Sequence, residues 1–128
     1  MKSSSFNPIP LCNFVIALTW LYHGIIPKLL YMETGELGMV QSSGMFTGHE
    51  STVVYVIGVL EILFGLSILF FGKLKILHYL NILGLVLLGI GAIVAKPEIY
   101  LQPFNPATTS FGVIGLSIIV LRSNSQPK

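Results

Sequence analysis

Near the middle of the chain an apolar run, Ser51 to Phe71, carries a carboxylate, Glu61, at its centre. Wound as a helix, its residues rise about 1.5 Å each, so the run covers about 30 Å, the thickness of a bilayer's hydrocarbon core. Glu61 then sits near the membrane midplane. A charged side chain at that depth costs at least about 2.5 kcal/mol on insertion scales, so it has to face a protein interior and find a partner there. The rest of the chain reads as the housing for that one group.

Three further apolar runs are long enough to cross: Leu11 to Leu30, Leu74 to Ala95, and a shorter one from Pro106 to Arg122. The composition agrees, with 53% apolar and 9% charged residues in 128, against roughly 25% charged in a soluble domain. The mean hydropathy is +0.82. Aspartate is absent, and the seven Lys and Arg are scattered at the ends of the runs with no basic stripe, which argues against nucleic acid as a partner. The partner that this composition demands is the lipid bilayer. Cys12 is the only cysteine, so an internal disulfide and a Cys-x-x-Cys relay within one subunit are both excluded.

Taken in order, the chain opens on a short polar head in which Pro8 and Pro10 suit the approach to a helix. No small-x-small cleavage site follows the first run, and Pro27-Lys28 interrupts its end, so it reads as a retained span and not as a signal peptide. Tyr31 to Glu50 holds Glu33, Glu36 and Glu50 and reads as an extramembrane loop with a short interfacial helix around Glu33 to Gln41, a lid over the bundle's mouth being the alternative. Gly72 to Lys75 is a tight turn, which makes the second and third spans antiparallel neighbours. A turn-rich loop, Glu98 to Asn105, leads to Pro106 and the last span. One membrane domain, an all-α four-helix up-down bundle, therefore fills residues 1–128. The N-terminus, the second loop and the C-terminus share a side and hold Lys2, Lys73, Lys75, Arg122 and Lys128, whereas the other side has only Lys28 and Lys96. That bias places both termini in the cytoplasm.

Small residues recur where helices need to approach. Gly58, Gly65 and Gly72 share a face with Glu61; Gly84, Gly91 and Ala95 follow Asn81 at similar intervals; Gly112 and Gly115 do the same in the last span. Lipid offers no hydrophobic drive for helix association, so such faces are expected to supply close packing.

Counting from helix ends puts Glu61 about 15 Å, His23 about 18 Å and Asn81 about 10 Å into their spans. His23 is the expected partner of Glu61, Asn81 can donate to either, and Trp20 stands one turn from His23. These four, Glu61, His23, Asn81 and Trp20, are the candidate ligand-binding residues. An apolar slot with one or two hydrogen-bonding groups suits a quinone or a similar lipophilic headgroup. The structural alternative makes Glu61 a donor that fixes helix register. Lys28 is expected to snorkel to the outer interface, His78 to be interfacial, and His49 to be solvated. No His-x-x-x-His or Glu-x-x-His pair exists to hold a metal, and Ser67, Ser110 and Ser117 have no expected His and acid partners for a triad.

The run Leu18 to Lys28 (LTWLYHGIIPK) resembles the opening motif of the DoxX-like family, a Trp followed by Gly and then Pro-Lys. Gly58 to Gly65 (GVLEILFG) resembles that family's Gly-x-x-Glu-x-x-x-Gly, and Lys96-Pro97-Glu98 and Pro103 to Pro106 continue the match in order. By position the motif falls on Trp20, Gly24, Pro27, Lys28, Glu61, Pro103, Asn105 and Pro106. The resemblance implies a four-helix inner-membrane protein of bacteria with a link to redox systems, since the wider DoxX group takes its name from a subunit of a thiosulfate:quinone oxidoreductase. It implies quinone as the ligand class and a soluble or membrane oxidoreductase as partner. The reading is thus an accessory membrane subunit, not an enzyme on its own; a non-catalytic scaffold or assembly factor is the alternative. The oligomeric state is left open.

Overall fold

The computed structural model describes residues 6–32 and 34–125. Among them regular structure is entirely helical. Helix α1 (Ile9–Gly24) runs on without a break into a π-helical segment, Ile25–Leu30. Then follow α2 (Thr34–Ser43), α3 (Glu50–Phe71), α4 (Lys75–Ala95), a 3-10 turn (Pro97–Leu101) and α5 (Pro106–Ser123). Four helices are long and apolar enough to cross a membrane: Ile9–Leu30, Glu50–Phe71, Lys75–Ala95 and Pro106–Ser123. Their limits lie within two residues of those expected from the hydropathy pattern, because in hydrocarbon the backbone must satisfy its own polar groups and the helix persists for as long as the apolar run does. Large apolar side chains such as Phe14, Leu18, Leu63, Phe70, Leu87 and Phe111 point outward over these helices. So much exposed apolar surface is what a lipid-facing bundle shows and a soluble monomer does not.

Pro27 explains the change at the end of α1. It has no N–H to give to the carbonyl of His23, so α-type bonding cannot continue there. The chain widens to i→i+5 bonding instead, seen in Tyr31 N–H donating to the Ile26 carbonyl at 3.1 Å. The helix therefore changes its winding at the proline and goes on to Leu30. At the other loop, Asn105 builds the start of α5: its side chain accepts from the backbone N–H groups of Ala107 and Thr108 at 3.0 and 3.1 Å, with Pro106 at the first helical position. This gives the Asn105 and Pro106 motif positions a structural task.

Helix α1 is the hub. It packs on α3 along most of its length and on α5, while α4 packs on α5. The α1–α3 seam runs through Ala17, Trp20 and Gly24 on one side and Val54, Gly58, Glu61, Gly65 and Ile68 on the other, all buried. A methyl group on Gly24 would stand 2.6 Å from the Gly58 carbonyl oxygen, and one on Gly65 3.0 Å from that of Ala17. The second-span glycines thus do what their shared face with Glu61 predicts. Those of the third and fourth spans do not: Gly84, Gly91, Gly112 and Gly115 have open space where a Cβ would stand. Helices α3 and α4 also differ from expectation, for although a short turn joins them their backbones do not approach closely along their lengths. Short connections favour adjacency, but here the tightest seam has gone to α1, whose small residues match those of α3.

Contacts fix the ends. Gly72, at the end of α3, lies against Asn13 near the start of α1, and Lys75 at the start of α4 donates to Ser125 beyond α5 at 2.9 Å. Both ends of the described chain therefore share one end of the bundle, as an up-down arrangement requires. Lys2 and Lys128, counted above for orientation, lie outside the described residues, as does Glu33.

Candidate functional site

The partner of Glu61 is Lys28. The ammonium of Lys28 stands 3.0 Å from Glu61 Oε2 and 2.9 Å from Glu36 Oε1. Lys28 is 4% exposed and Glu61 7%. Its stem reaches the interior because Gly58 leaves room: a methyl group there would sit 2.9 Å from the Lys28 Cβ and overlap Leu29. The contact with Glu36 is a hydrogen bond, with Nζ donating. That with Glu61 is a buried ion pair at 3.0 Å, within charge-assisted hydrogen-bond distance, and Oε2 is shielded from solvent. One buried ammonium thus stands between two carboxylates.

This corrects two expectations. Lys28 does not snorkel; α2 lies on α3 and brings Glu36 to it, so the ammonium meets its counter-charges inside the protein. His23 is not bonded to Glu61 among the described residues; its ring lies against Tyr22, with centroids 5.9 Å apart.

A second polar group lies nearer the shared end. The indole N–H of Trp20 donates to Asn81 Oδ1 at 2.6 Å, and Asn81 Nδ2 donates to Ser117 Oγ at 2.8 Å. Ser117 Oγ is 3.2 Å from His78 Nδ1, and His78 Nε2 is 2.9 Å from the Gly72 carbonyl. An indole can only donate and a carbonyl only accept, so the direction is set from both ends: Ser117 gives its proton to Nδ1, and Nε2–H donates to Gly72. Every link of the chain is then satisfied, and it ties α1, α4 and α5 to the end of α3. His78, Asn81 and Ser117 are 0% exposed. The expectation that His78 is interfacial is therefore corrected. Ser117 does have a histidine beside it, yet among the described residues no acid completes a triad, and a closed, fully used chain in the core is a clamp between helices. Trp20 also meets Phe64 edge to face, with ring centroids 5.1 Å apart.

The four candidate residues are thus divided. Trp20 and Asn81 join one another and Ser117; Glu61 joins Lys28 and Glu36; His23 joins neither by a hydrogen bond among the described residues. The sequence reasoning missed Glu36 and Ser117 and misplaced Lys28. A signal for Lys28 was present: Ala17, Trp20, Gly24 and Lys28 recur at spacings of three and four and so share a face. No comparable pattern marks Glu36 or Ser117.

A bundle of four membrane-length helices whose core holds a lysine between two carboxylates defines a multi-pass membrane protein with a buried ionic site. A family model described as the DoxX-like family matches residues 17–118, and the chain belongs to that family. The matched stretch includes both polar groups. The comparisons with curated proteins and with solved structures returned no match.

Proposed function

We propose that the Lys28–Glu61 pair receives the headgroup of a lipophilic ligand and that the protein is a small accessory membrane subunit of a redox system. The observation that carries this reading is the ion pair itself, an ammonium and a carboxylate 3.0 Å apart and buried in an apolar seam. An ammonium has three donors and a carboxylate several acceptor sites, so beyond their contacts here Lys28 has one N–H and Glu61 has lone pairs to offer a headgroup. Lys28 supplies the complementary donor. A donor and an acceptor side by side among the apolar stem of Leu29, Ile62 and two glycines fit a quinone carbonyl and the hydroxyl of its reduced form. The link to redox systems that the DoxX-like resemblance implies is compatible with the same class. The chain's own part is to bind, orient and hold a proton; electrons belong to a partner oxidoreductase. A saturable binding isotherm for a short-chain quinone, lost when the pair is removed, is the test.

A scaffold or assembly factor is the second reading, favoured by the Trp20 to Gly72 chain, which shows polar residues spent wholly on packing. It predicts a stoichiometric protein partner that is retained without any ligand.

Lys73, Lys75 and Arg122 lie at the end of the bundle nearest both termini, which supports placing that end in the cytoplasm of a bacterial inner membrane. Under this reading an impermeant amine reagent applied to spheroplasts spares Lys73 and Lys75 and modifies them in inverted vesicles. Labelling in spheroplasts would reverse the orientation.

A further inference from the structure

We propose that α2 is a lid over the ionic site and that Glu36 is its latch, a ligand supplied by the protein itself that occupies Lys28 until a headgroup oxygen replaces it. This rests on the ligand-binding reading for what enters, but not for the motion.

Of the two carboxylates at Lys28, Glu61 is fixed in the α1–α3 seam between Gly58 and Gly65 and is 7% exposed. Glu36 comes from an element whose residues 35–40 are half-buried and none fully buried. Its side chain is 26% exposed, against 8% for that of Glu61. The displaceable counter-charge is therefore Glu36. Helix α2 lies on α3 and on α4, across the two helices whose backbones do not close on one another, so it covers the end of the bundle where the ammonium stands. Its connections suit a moving element: Met32 precedes it at φ +43°, and Gly44 and Gly48 follow it at φ +65° and +86° with open space around both. Elements that move to admit ligands are those with few buried contacts, and α2 is the described α-helix with no fully buried residue. While it is docked, Lys28 is shielded almost completely. When it swings away, Lys28 loses one acceptor, and an oxygen of an incoming headgroup restores it.

The test uses Lys28 as its own reporter in the full chain reconstituted in nanodiscs. Wild type and Glu36→Gln are treated with a small uncharged acetylating reagent and with a bulky uncharged amine reagent, and modification of Lys28 is read by mass spectrometry. Loss of the carboxylate changes the intrinsic reactivity of the amine toward both reagents alike, so the ratio of bulky to small labelling isolates access. The ratio is expected to rise roughly fivefold in the variant, the shift in opening that loss of a partly exposed ion pair gives, while hydrogen exchange shows that α2 stays helical. An unchanged ratio overturns the proposal, and so does an α2 that unravels in the variant, since that makes Glu36 a folding contact. No ligand is added, so the outcome is independent of whether a quinone binds. Failure of quinone binding with a raised ratio would refute the ligand class and leave the lid standing.

Discussion

At the scale of the residue, Lys28 and Glu61 explain one another. A carboxylate in the middle of an apolar span is tolerable because an ammonium lies 3.0 Å away, and a lysine that turns inward is tolerable for the same reason. The pair is costly to break and cheap to remove whole. Lys28→Met leaves Glu61 as an uncompensated buried charge and is expected to lower stability by about 3 kcal/mol. Glu61→Leu costs less because Glu36 still holds Lys28, and the double substitution recovers most of the first loss. Reversible unfolding of the reconstituted protein measures the cycle. Additive losses in the double variant would show that the two side chains do not depend on one another. From the sequence, Glu61 was legible as a buried acid in need of a partner, since its depth follows from its place in the run. The identity of the partner was not. Depth counting treats the spans as parallel rods and assigns any lysine near a helix end to the water interface. Lys28 escapes that rule because Gly58 opens a space for its stem and Glu36 arrives from a segment that carries no periodic signal strong enough to place it.

Among the elements, the α1–α3 seam carries the architecture. Gly24 and Gly58 bring the two backbones together beside the ionic site, and the methyl group of an alanine at 24 would meet a carbonyl oxygen that cannot rotate aside. Gly24→Ala is expected to cost about 1–3 kcal/mol through overpacking. Gly84→Ala, on a helix face with nothing within reach, is expected to be neutral or to gain up to about 1 kcal/mol from helix propensity. The same unfolding measurement ranks them, and equal effects at the two positions would contradict the seam. The two glycine patterns look alike in the sequence. Spacing reports that small residues share a face but not whether another helix covers it, and this is why the second-span pattern held while those of the third and fourth spans proved empty. Helix limits were legible almost to the residue, because hydropathy and caps such as Asn105-Pro106 act locally. The order in which the helices pack was not, since the short turn between α3 and α4 constrains their ends and leaves their lengths to find better neighbours.

In the whole molecule two polar groups divide the work. The Trp20–Asn81–Ser117–His78 chain closes on the Gly72 carbonyl with every link used and binds the four spans into one unit. The Lys28–Glu61 pair lies beneath α2, a helix that is only half-buried. Stability is invested in the first, and the second is left able to respond. Membership of the DoxX-like family covers both groups and names no ligand for either, so the decisive evidence has to come from binding. Trp20 offers the means. It is the only tryptophan and stands eight residues from Lys28, about 12 Å along the helix, within reach of quenching by a bound quinone. The measurement is a titration of Trp20 fluorescence with a short-chain quinone, comparing wild type with the Lys28→Met, Glu61→Leu double variant, which is expected to keep the fold. Saturable quenching in the wild type, with affinity lower by at least about tenfold in the double variant, is the predicted result. Equal affinity in the two proteins, or quenching that never saturates in either, would contradict the assignment of this pair as a headgroup site.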